Sequence, residues 1–155
     1  VNGTEQKVQP GSSAYGSIKR KWHPGDVVSV TLPMTTTIEN LPDGSSWVSI
    51  LHGPVVLAAV TDTSDLDGLR ADDSRMGHVA EGPRYPISEG PVIVTDRADF
   101  ASQIQPVEGE PLTFQMPGLI VPESFSHLKL KPFFELHDAR YIIYWPVESI
   151  KSESP

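Results

Sequence analysis

Four stretches hold the side chains of this chain that could do chemistry. They are His52 within Ile50-Leu51-His52-Gly53-Pro54, the run Arg75-Met76-Gly77-His78, the pair His137-Asp138, and the acidic segment from Asp62 to Asp73. His137-Asp138 invites a metal or proton-transfer reading. A metal site, however, needs three or four converging ligands, and no second histidine or acid cluster stands at ligand spacing nearby. The pair then reads as a loop histidine ahead of a strand, with Asp138 making a turn or an ion pair. The acidic segment holds the Asp65-x-Asp67-Gly68 core of a calcium loop. Its first ligand position falls on Thr63 and its last on Ser74, where Asp and Glu are required. No serine sits in a G-x-S-x-G elbow, and the absence of cysteine excludes a thiolate nucleophile, thiolate metal sites and disulfides. No acid lies in an apolar context that marks a glycosidase carboxylate pair. The expectation is a chain without cofactor, metal or catalytic residue.

The elements that would carry these residues are short strands. A chain of 155 residues is one domain's worth, and 38% hydrophobic with 21% charged residues is an ordinary globular composition. Its 15 prolines and 12 glycines fall mainly between apolar runs, which points to many turns. The fold expected is all-β: an antiparallel sandwich, jelly-roll-like, with one long loop and at most one short helical turn. Tyr15 to Met34 is the organising stretch, with a type II turn at His23-Pro24-Gly25-Asp26. Ile18, Arg20 and Trp22 share one face before it, and Val28, Val30 and Leu32 share one face after it. Pairing these faces predicts a hairpin with its apolar side on the core. Arg20 then needs a buried partner, for which Asp138 and Glu39 are the candidates. Val55 to Val60 does not alternate, as expected of a central strand covered on both faces. Tyr141 to Trp145 carries bulk on both faces and reads as a second internal strand. Phe100 and Ile104 fit a helical turn capped by Asp96 or Asp99.

Residues 61–91 form a long loop with scattered apolar residues, of a length that is usually functional or packed on a neighbour. Arg75 and His78 within it are candidate contacts to substrate or to another domain. The formal charge of −8 disfavours a nucleic-acid partner. No apolar run reaches the roughly 20 residues of a membrane helix. Val1-Asn2-Gly3 reads as a strand end entering a turn, so the chain is expected to be a piece of a longer protein. Within it, 1–147 reads as a single sandwich domain and 148–155 as a fraying polar tail.

Several runs together resemble a known family. Tyr15…Ile18-Lys19-Arg20-Lys21-Trp22-x-x-Gly25-Asp26, Ile50-Leu51-His52-Gly53-Pro54-Val55-Val56-Leu57-Ala58, and Pro132-Phe133-Phe134-Glu135-Leu136-His137-Asp138-Ala139-Arg140-Tyr141-x-x-Tyr144-Trp145 are similar to the β-sandwich that follows the catalytic domain in glycoside hydrolase family 127, the β-L-arabinofuranosidases. Arg75-Met76-Gly77-His78 with Gly82-Pro83 is similar to the same region. The resemblance implies a bacterial parent enzyme whose catalysis belongs to an (α/α)6 barrel with a zinc site of cysteines and a glutamate. No residue of that site has a counterpart in a chain without cysteine. It implies an accessory role: bracing the barrel of the same parent chain, lining the substrate cleft, or forming a homo-oligomer contact. Arg75, His78, His52 and His137 are then the candidate substrate or interdomain contacts. Arg20, Trp22, Asp138, Arg140, Tyr141 and Trp145 are the structural residues. The alternatives are a free-standing carbohydrate-binding module and an immunoglobulin-like spacer or adhesion domain. A periplasmic or secreted location is expected over a cytoplasmic one.

Overall fold

The computed structural model describes residues 1–10, 15–67 and 83–150. Its strands are β1 (Gln9–Pro10), β2 (Gly16–Ser17), β3 (Thr36–Asn40), β4 (Trp47–His52), β5 (Val55–Asp62), β6 (Val92–Val94), β7 (Gln105–Pro106), β8 (Phe114–Gln115), β9 (Ile120–Val121), β10 (Lys129–Pro132), β11 (Arg140–Ile142) and β12 (Tyr144–Glu148). The helical elements among the described residues are 3-10 turns of three residues each. The all-β expectation holds. The chain divides into two compact units, Val1–Pro33 and Met34–Pro155.

In the first unit the expected turn forms and the expected hairpin does not. Asp26 donates its backbone N–H to the His23 carbonyl at 3.1 Å, and Gly25 takes φ 90°. That is the type II geometry a Pro-Gly pair favours. Residues 18–22 and 27–32 nevertheless form no ladder. The reason lies in the turn itself: a type II turn splays its flanking strands, whereas the primed turns match their right-handed twist. Among the described residues of this unit, strand pairing is confined to β1 and β2. Asn2 ties the turn down instead, accepting the Val27 N–H at 2.8 Å and donating its amide to Asp26 Oδ1 at 2.8 Å. Arg20 pairs with Asp26 at 3.6 Å and lies over the Trp22 ring at 5.1 Å. Its partner is thus a turn residue of its own unit, in place of Asp138 or Glu39.

The second unit is built on one mixed sheet of ten strands. β3, β4 and β5 form an antiparallel meander, with Gly53 at φ 56° in the Gly53-Pro54 turn and Pro54 just ahead of β5, where its missing N–H costs no ladder bond. β5 is central, flanked by β4, β10 and β11, which explains why its sequence lacks alternation. Leu57 and Ala59 enter the core on one face, and Ala58 is fully buried on the other. Core residues come from strands far apart in the sheet order, Phe114 of β8, Leu130 of β10, Ile50 of β4 and Ile93 of β6, so the sheet wraps around one interior.

Three expectations change here. β6 pairs with β12 in parallel, so the sheet is mixed; the intervening chain supplies the crossover a parallel pair needs. Tyr141 to Trp145 is two strands, because a bend at Ile143 transfers the chain from β5 (through β11) to β4 (through β12). Trp145 consequently falls into the core while Tyr141 does not. The tail is tied as far as Ile150: Thr95 donates to the Glu148 carbonyl and Ile150 to Asp96 Oδ1, both at 2.9 Å. The helical turn is present as Ala101–Gln103, with Phe100 rather than an acid at its N-cap; Asp99, one residue earlier, accepts the Ala101 N–H at 3.1 Å.

Candidate functional site

A concavity of the second unit lies at the bend at Ile143. β11 leaves Tyr141 beside β5, β12 starts at Tyr144 beside β4, and the segment 85–91 closes the third side. The cleft measures about 520 Å³. Tyr85, Tyr141 and Tyr144 line it with half of their surface exposed (50%, 47% and 50%), and Trp47 lines it as well. Aromatic residues this exposed are a binding signature when they converge on one concavity.

Arg140 is the residue that assembles this wall. Its Nη1 donates to the Pro83 carbonyl at 3.0 Å and its Nη2 to the Asp65 carbonyl at 2.8 Å. The planar guanidinium thereby bridges the two described ends of the long loop. The same guanidinium lies over the Tyr85 ring at 4.1 Å, a cation–π contact that fixes the ring's position at the cleft edge. A register shift between Arg140 and Tyr141 re-aims the two side chains, as bulges do. Tyr141 is further held by Phe133, with ring centroids 5.1 Å apart.

Asp62 supplies the carboxylate at the end of β5. It accepts the Ser64 N–H at 2.9 Å, the Ser64 hydroxyl at 2.7 Å and the Thr63 N–H at 2.7 Å. Those donors, Ser64's backbone first and the Arg140 charge last, hold its pKa below the ordinary 3.8. Asp62 is therefore a fixed anion at neutral pH, already engaged in shaping its turn. With tyrosine faces, a cation and two carboxylates (Asp62 and Glu89), the cleft can stack on a ring and hydrogen-bond to hydroxyls.

Of the sequence-predicted contacts that lie among the described residues, neither His52 nor His137 lines this cleft. His52 sits half-buried on β4, with its Nδ1 3.1 Å from the Thr36 hydroxyl and its ring 4.7 Å from that of Phe114, which is a packing role. His137 borders a separate hollow beside β10. Asp138 takes φ 48° at the bend before β11, a conformation aspartate tolerates. Trp22 is exposed in the first unit, and Trp145 is fully buried. Arg75 and His78 lie outside the described residues. The role of Arg140 as a clamp was not legible, since its carbonyl partners stand 57 and 75 residues away and no local pattern marks them.

An all-β unit with an aromatic cleft is the class these observations define. Residues 37–147 match the family model DUF4986, a domain of unknown function, and the chain belongs to that family. Residues 1–34 match the model of the middle domain of GH127 β-L-arabinofuranosidase. The break between the two matches coincides with the division between the two units. The two matches together are consistent with an accessory region of GH127-like proteins. A search of the curated proteins gave no match. No helix among the described residues is long and apolar enough to cross a membrane.

Proposed function

We propose that the second unit is a non-catalytic accessory domain of a β-L-arabinofuranosidase-like enzyme, and that its tyrosine cleft holds a sugar unit of the substrate beside the catalytic domain. The observation that carries this reading is the convergence of half-exposed Tyr85, Tyr141 and Tyr144 on one cleft in a chain that also matches a GH127 middle domain. Tyrosine rings offer a rigid apolar face to the C–H face of a sugar and a hydroxyl for its polar edge. Asp62, Glu89 and Arg140 at the rim add directional hydrogen-bond partners. The first unit, on this reading, belongs with the remainder of the middle domain, which would cover its exposed valines.

Calorimetric titration of the chain with arabinofuranosyl oligosaccharides tests the proposal. Binding with a Kd of about 1 mM, weakened about fivefold by Tyr141→Ala, is expected of a shallow stacking site. Absence of binding to the chain, with Tyr141→Ala lowering only the thermal stability of the full-length enzyme, would replace it with a second reading. In that case the cleft is an interdomain contact that braces the barrel.

A further inference from the structure

A second hollow lies on the opposite side of β10 from the core, and its chemistry differs from that of the tyrosine cleft. Leu130 of β10 points into the interior, so alternation sends Lys129 and Lys131 to the other face of the sheet. There the chain segment around 135–137 and the residues just before β10 enclose about 420 Å³. The polar residues lining it are His127, Lys129, Lys131, Glu135 and His137. Four nitrogen-bearing side chains thus meet one carboxylate, in a chain whose formal charge is −8.

The pairing pattern makes that excess informative. Lys129 is held by Glu110 at the hollow's edge. Lys131 is half-buried, yet among the described residues it has no carboxylate within ion-pair distance, and His127 and His137 have no hydrogen-bond partner there. Its cross-strand neighbour is the buried Ala58, which offers it no charge. Taking an ammonium partly out of water costs free energy unless an anion compensates it. In a chain with 20 acidic residues, Glu135 lines the same hollow without pairing with Lys131.

We propose that this hollow is an oxyanion-binding site, in which Lys131 and Lys129 with the imidazole N–H groups of His127 and His137 hold a carboxylate, sulfate or phosphate group. The lysines supply charge, and each imidazole supplies a donor when the nitrogen that faces the anion carries the proton. Glu135 sets the limit: it opposes a multiply charged anion. The site is independent of the tyrosine cleft and does not rest on the sugar reading.

The test is a titration of the full chain followed by the imidazole NMR signals of His127 and His137, using sodium sulfate, sodium phosphate, sodium glucuronate, and sodium chloride at matched ionic strength. Saturable shifts of both histidines with an oxyanion and none with chloride are expected. The ranking of the three salts separates an inorganic ion from a sugar carboxylate as the ligand. Lys131→Met, which keeps the stem, should weaken binding about tenfold, the usual effect of losing one charge-assisted hydrogen bond. Glu135→Gln should tighten it, and serves as the second variant if Lys131→Met alters folding. Shifts that fail to saturate, that chloride reproduces, or that Glu135→Gln leaves unchanged would overturn the assignment.

Discussion

Two apolar runs of similar composition end in opposite environments. Val55-Val56-Leu57-Ala58-Ala59-Val60 lies in the middle of a sheet, with Leu57, Ala58 and Ala59 fully buried. Val27-Val28-Ser29-Val30-Thr31-Leu32 alternates cleanly yet stays in solvent, Val30 and Leu32 being 74% and 75% exposed. An apolar pattern names the face a strand would bury; it does not supply the neighbouring strand that takes up the N–H and C=O groups. β5 receives β4, β10 and β11. Residues 27–32 follow a type II turn that steers their natural partner away.

Substitutions should sharpen this contrast, and the largest losses belong to the buried side. Trp145→Ala should cost about 3–5 kcal/mol and Leu57→Ala about 2–5 kcal/mol, read from denaturant midpoints. A loss near zero at either position would place these side chains outside the core. Arg140→Ala comes next, at about 2 kcal/mol, because it removes charged donors from two backbone carbonyls. Its signature is local: faster amide exchange over 83–91 beyond any global change. On the exposed side, Leu32→Thr and Val30→Thr should change the stability of this chain by less than about 0.5 kcal/mol. A larger loss would show that the run is buried after all.

The smallest effect is one of pH. The carboxylates of Asp62 and Asp26 both titrate below the ordinary 3.8: Ser64 donors act on the first, and the Asn2 amide followed by the His23 N–H acts on the second. Each therefore stabilises the fold above that value. Each contribution fades as pH falls from about 3.8 through the depressed folded value. Asp62→Asn should flatten the acid limb of the stability profile, and an unaltered limb would remove Asp62 from it.

Much of the fold was legible because it rests on local chemistry. Turn residues placed the bend at Pro24-Gly25, Pro54 marked the start of β5, and the non-alternating run identified the central strand. The resemblance to an accessory region of GH127-like proteins was legible too, from the combination of runs, and the GH127 match falls on residues 1–34. What the sequence concealed was longer-ranged. Nothing at Ile143 announces a bend, so Tyr141 and Trp145 read as one face when they belong to two strands. The candidate site was concealed for the same reason. His52 drew attention as a polar residue in an apolar run, but Thr36 and Phe114 employ it structurally. Tyr85, Tyr141, Tyr144 and Trp47 come together only through tertiary contacts that Arg140 organises.

Hydrogen–deuterium exchange of the chain, with and without arabinofuranosyl oligosaccharide, tests the account most directly. Free chain should show slow exchange at 57–59 and fast exchange at 27–32. Added sugar should slow exchange at 85–91 and 140–144 while leaving both reference runs unchanged. Saccharide-insensitive exchange around the tyrosine cleft, or protection appearing at 27–32 instead, would contradict it.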